Sequence, residues 1–191
     1  MQNRDQAWAL LCEYSSNPSL IKHALSVEAC MGWYADQNKL EADECLLWRL
    51  TGLLHDFDYE RFPEPIDPGG HPFEGNRILK ELGYPDSLRE AIMGHALYSN
   101  VPRVTLMAKT LFAVDELSGL ITASVLVRPD KSIALLEARS VLKKMKDKAF
   151  ARGCSRDDIR LGAQELGIEL EAHVTKVLGP LEYRKYLKVN A

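Results

Sequence analysis

What the sequence lacks narrows its possibilities first. No apolar run among the 191 residues approaches the roughly 18 that a membrane-spanning helix needs. The opening stretch, MQNRDQAWALLCEY, has no basic segment ahead of an apolar one, so no secretory leader is expected and the default compartment is the cytoplasm. Cysteine is sparse. Cys12, Cys30, Cys45 and Cys154 form no CxxC pair, and each falls in or beside a helix-like stretch. A disulfide framework is therefore not expected, and the four read as free thiols in a reducing compartment. There is no surplus of positive charge either. Lys and Arg number 24 against 27 Asp and Glu, a net charge of −3. That gives no footprint for a nucleic-acid backbone and no basic patch for anionic lipid, so neither is expected as a partner. No repeat, low-complexity segment or long linker divides the chain.

What is present reads as helix. Hydrophobic residues make up 46% of the chain and charged ones 27%, enough for a buried core. The apolar residues recur at three- and four-residue spacing with little strand-like alternation, so an all-α fold is expected. Helices are expected over 5–14, from Pro18 to about 36 behind an Asn17 cap, and over about 41–54. From Phe57 to His71 the prolines and the Gly69-Gly70 pair require an ordered loop. Further helices are expected over 72–82, 86 to about 97, from Pro102 to about 123, and roughly 131–150. Gly153 is read as a break, Ser155 as the next N-cap, and the end as helical to about Tyr186.

The chemistry concentrates in the histidines, of which the chain has five. His55 and Asp56 stand together at the end of a leucine-rich helix, just before the proline- and glycine-rich loop. Such a pair against an apolar face is costly unless something compensates the desolvation, and a divalent metal does so directly. His23 falls on the same side of its helix as the stripe Leu20, Ala24, Val27, Met31 and Tyr34. Asp115 lies within an apolar helix with Ala108, Phe112 and Gly119, so it is read as pointing inward. An isolated inward carboxylate is raised in pKa and costly when ionised, so it needs partners.

A histidine, then His-Asp at a helix end, then a distant aspartate on a later buried helix resembles the ligand pattern of the HD superfamily. The resemblance covers about residues 18–125. The stretch Asp115-Glu116-Leu117-Ser118-Gly119-Leu120 is similar to the closing helix of bacterial HDIG-type proteins. What it implies is an HD-like helical bundle in a single domain, with additional C-terminal helices over about 129–191. His23, His55, Asp56 and Asp115 would be the ligands of a divalent transition metal (Mn, Fe, Co, Ni or Zn), and the protein a metal-dependent phosphohydrolase. In two-metal members, residues placed like His71 and His95 bind a second ion with Asp56 bridging. Alternatively, both contact a substrate phosphate over a single ion. Where many family phosphodiesterases carry a His-His pair, this chain has Ala96 after His95, which argues against a cyclic-dinucleotide substrate.

Asp58, on the loop bordering the site, is a candidate acid or base or an orienter of water. Lys109 is a candidate to steady a phosphate, with Arg61, Arg77 and Lys22 as weaker ones. His173 is expected to lie outside the site. The expected partner is a small phosphorylated substrate, with a nucleotide one candidate, and a homodimer is open. Two other readings stand beside hydrolysis: a mixed-valent di-iron oxygenase of the HD type, and a scaffold that binds ligand without turnover.

Overall fold

The computed structural model describes residues 2–66 and 68–182, and among these every regular element is helical. The elements are α1 (Arg4–Tyr14), α2 (Pro18–Gln37), α3 (Ala42–Leu54), α4 (Phe73–Glu81), α5 (Asp86–His95), a 3₁₀ turn (Leu97–Ser99), α6 (Leu106–Leu126), α7 (Ala138–Met145), α8 (Arg156–Glu165) and α9 (Leu170–Glu182). None is long and apolar enough to cross a membrane.

Local chemistry fixes most starts. Asn3 opens α1 with a capping box: its side chain accepts the Gln6 N–H, and the Gln6 side chain accepts the Asn3 N–H, each at 2.9 Å. Asn17 caps α2 ahead of Pro18. Thr105 caps α6 by accepting the Ala108 N–H at 3.1 Å, so this helix begins four residues after the proline expected to start it.

The fold is built around α6, whose buried residues lie on nearly all sides. It is packed by α2, α5, α8 and α9. The most extensive pairing is α2 with α3. They cross at Gly52, where a Cβ would come within 2.9 Å of the Glu28 amide nitrogen and the Val27 carbonyl carbon. That backbone approach sets His23 on α2 next to the end of α3. Glu28, also on α2, is fully buried. Its carboxylate accepts from Arg4 at 2.6 and 2.8 Å and from Arg49 at 3.3 Å, so its charge is compensated where α1, α2 and α3 meet.

The expected helix over 131–150 is largely absent: only Ala138–Met145 forms. Before it, the Asp130 side chain takes the Ser132 N–H at 3.2 Å and the Ser132 hydroxyl takes the Ala134 N–H at 3.3 Å. These local bonds compete with helix formation. After it, the Arg156 guanidinium donates to the Phe150 carbonyl and, at 3.4 Å, to the Asp147 carbonyl, which stabilises a non-helical stretch. The expected last helix is split at Gly167, whose φ of +66° is left-handed. Its expected end near Tyr186 lies outside the described residues.

His173 holds α9 to the core through bonds to Tyr34 and Ala113. Fully buried, it donates Nε2–H to the Ala113 carbonyl at 2.9 Å and accepts the Tyr34 hydroxyl at Nδ1, also 2.9 Å. Burial holds its pKa below the ordinary value. His173→Ala is expected to cost about 3 kcal/mol, from the vacated volume and the orphaned Tyr34 hydroxyl. Because the folded pKa is depressed, this histidine's contribution is complete above the unfolded value of about 6.5 and is lost as pH falls below it. The gap between wild type and variant should therefore narrow from pH 8 to pH 5 in urea unfolding. A gap under about 1 kcal/mol at pH 8 would contradict this role.

Candidate metal centre

Five segments bring six side chains together. His23 comes from α2, His55 and Asp56 follow the last turn of α3, His71 ends the next loop, His95 is the last residue of α5, and Asp115 is midway along α6. Asp56 is the hub. Its Oδ2 lies 3.4 Å from His55 Nε2 and 3.8 Å from His23 Nε2, while its Oδ1 lies 3.3 Å from both His71 Nε2 and His95 Nε2. In the first group, His23 and His55 Nε2 are 3.2 Å apart, and Asp115 Oδ1 reaches them at 2.9 and 3.4 Å. In the second, the Nε2 atoms of His71 and His95 are 3.3 Å apart.

The protons can be placed from the opposite ring nitrogens. His55 Nδ1 lies 2.8 Å from the Gly52 carbonyl, His95 Nδ1 faces the Ile92 carbonyl, and His71 Nδ1 lies 2.7 Å from an Asp58 carboxylate oxygen. Each acceptor requires N–H at Nδ1. The Ser118 hydroxyl donates to the Asp115 carbonyl at 2.9 Å, leaving its oxygen to accept from His23 Nδ1 at 3.4 Å. In the neutral rings all four Nε2 atoms therefore carry lone pairs, and they face one another and two carboxylates. That arrangement is repulsive without a positive charge between them.

The spacing suits a divalent ion. Donors bound at about 2.1 Å stand roughly 3.0 Å apart at right angles and 3.4 Å apart at tetrahedral angles, which brackets most of the separations above. The electrostatics agree. Burial opposes a charged His55, yet Asp56 and Asp115 outweigh it and raise its pKa well above the ordinary value. Burial likewise works against ionised Asp56 and Asp115, but the surrounding imidazoles hold both below the usual carboxylate range. Two donor sets are thus formed that could hold ions, His23–His55–Asp56 and Asp56–His71–His95, with Asp115 beside the first.

Asp58 is not where the sequence placed it. It is 1% exposed and turned away from the cavity, accepting His71 Nδ1–H through one oxygen and the Gly75 N–H, at 2.8 Å, through the other. It positions His71 rather than meeting substrate. Position 75 has to be glycine for this, since a Cβ there would lie 2.6 Å from the Asp58 carboxyl carbon. Lys109 does not line the cavity. Six residues turn a helix through about 600°, which leaves Lys109 roughly 120° round from Asp115. Arg61 stacks on the Tyr14 ring, Arg77 pairs with Glu74 and Glu81, and Lys22 lines a separate groove.

All of the metal-ligand candidates except the fully buried His55 line a cavity of about 530 Å³. Several of its wall residues were not nominated from the sequence. Tyr59, Leu97, Tyr98 and Phe112 give it an apolar lining, and Glu116, Cys154 and Asp158 line it as well. Burial and the Asp115 carboxylate push Glu116 up to about 7, while a bond from the Ser155 N–H works the other way. Cys154 is pushed up to about 11, chiefly by burial.

An all-helical bundle presents histidine and aspartate donors from five segments in an arrangement that could hold metal ions. The sequence pattern of the HD domain family matches residues 20–120, more than half of the chain, and the protein belongs to that family. Its members are typically metal-dependent hydrolases. No curated protein and no solved structure matches the chain.

Proposed function

We propose that the protein is a phosphohydrolase with two divalent transition-metal ions, acting on a small phosphorylated substrate. The observation that carries this reading is the Asp56 carboxylate, with one oxygen toward His23 and His55 and the other toward His71 and His95. Ions bound there would lower the pKa of a water toward neutrality and neutralise charge on phosphoryl oxygens.

The chain's own residues do the rest. Asp56 ties the two donor sets to one geometry. Asp58 fixes the His71 tautomer, and the Gly52 and Ile92 carbonyls do the same for His55 and His95. Tyr98 donates its hydroxyl to the His71 carbonyl at 3.1 Å, fastening the cavity wall to the ligand loop.

The test is elemental analysis of protein purified without added metal, followed by a phosphatase screen with manganese, cobalt, nickel and magnesium. About two ions per chain and phosphate release are expected. Single histidines in the second donor set also suit the di-iron oxygenase reading. A stoichiometric iron pair with oxygen consumption and no phosphate release would favour it. Metal-free protein with full biological activity would favour the scaffold.

A further inference from the structure

The charge of the cavity wall narrows the substrate. Among the described residues, no lysine or arginine lines the cavity. Of the nearby arginines, Arg103 is committed to Glu165 at 2.5 and 2.8 Å and Arg156 to backbone carbonyls of the loop before α8, while Arg152, next to the wall residue Gly153, is exposed and outside the cavity lining. Two carboxyl groups beyond the ligand set do face the cavity, Glu116 from α6 and Asp158 from the first turn of α8. The Asp158 carboxylate has no hydrogen-bond or ion-pair partner among the described residues. Its place near the α8 N-terminus favours its charge but does not neutralise it toward the cavity.

The consequence follows from charge balance and rests on the function proposed above. Two divalent ions bring four positive charges. Asp56 and Asp115 offset two of them, and Glu116 and Asp158 face whatever lies beyond. One phosphate dianion is matched by what remains. A second phosphate or a carboxylate would enter with no lysine or arginine of the cavity wall to meet it and with two carboxyl groups in that wall, next to the apolar residues Leu97, Tyr98 and Phe112. Sites that take polyphosphates ordinarily supply Arg or Lys to the additional charges.

We propose that the site selects substrates carrying one phosphate and no other anionic group, and that Glu116 and Asp158 enforce this. Nucleoside di- and triphosphates are then poor ligands, and a cationic group on the far end of the substrate is accepted.

Non-hydrolysable probes test this by binding alone. The full chain is loaded with manganese, its ion content is measured, and propylphosphonate, 3-phosphonopropionate and 3-aminopropylphosphonate are titrated calorimetrically. The three differ at the end remote from phosphorus: methyl, carboxylate or ammonium. The carboxylate probe is expected to bind at least about tenfold more weakly than the propyl one, and the ammonium probe at least as tightly. In a double variant, Glu116→Gln with Asp158→Asn, that still holds both ions, the carboxylate penalty should shrink to under about threefold. Equal binding of the carboxylate and propyl probes by ion-loaded protein overturns the inference and leaves the metal reading intact. So does a penalty that persists undiminished in the double variant. If the protein takes up no ions and binds no phosphonate, the proposed function fails and this inference falls with it.

Discussion

Asp56→Ala is expected to strip both ions from the protein at once. No other side chain takes part in both donor sets, so its loss leaves His23 and His55 with Asp115 alone, and His71 facing His95 with no carboxylate. Ions at such a centre contribute several kcal/mol to the transition state. At about 1.4 kcal/mol per tenfold, the loss in kcat/KM should be on the order of 10³-fold or more. Elemental analysis and a phosphatase assay on the variant, with circular dichroism to show retained helix, check both parts. An Asp56→Ala protein with two ions per chain would contradict the bridging role.

Asp58→Asn is expected to act on one donor set only. The native carboxylate accepts two bonds, one from His71 Nδ1–H and one from the Gly75 N–H. Asparagine has one acceptor oxygen. If that oxygen serves Gly75, the amide NH₂ faces His71 Nδ1 and drives the proton to Nε2, which removes the lone pair a metal needs. If it serves His71, an NH₂ is left against an N–H in a buried place. Either outcome should weaken the ion at His71 and His95 by about 10–100-fold while the ion at His23, His55 and Asp115 stays. Limiting-metal titrations should then show one tight ion where the wild type shows two. Gly75→Ala should mimic this by displacing the Asp58 carboxyl. Two equally tight ions in Asp58→Asn would refute the positioning role.

Much of the centre was legible because buried charge needs a compensating partner. His23 on an apolar stripe, His55-Asp56 against leucines and Asp115 inside an apolar helix each pose that problem, and the structure brings them to one place. Asp58 was visible as a residue of interest but not in its role, since the bonds that define it come from His71 and Gly75 across the chain. Lys109 was misplaced by counting six residues as nearly two turns. Glu116 and Asp158 gave no signal of facing a common cavity, because α8 meets α6 through a long-range contact that local pattern does not encode. Its closeness is plain only in space, where a Cβ on Gly162 would lie 2.5 Å from the Ala113 Cα. The helix expected over 131–150 is cut short because Asp130 and Ser132 at its start, and Arg156 beyond its end, offer its backbone partners that compete with helical ones.

The most direct measurement is anomalous diffraction from crystals of the protein grown with manganese, recorded near the metal edge. Two peaks are predicted, one among His23, His55 and Asp115 and the other between His71 and His95, with an Asp56 oxygen reaching each. Density with no peak in that place, and imidazoles turned apart, would contradict the account.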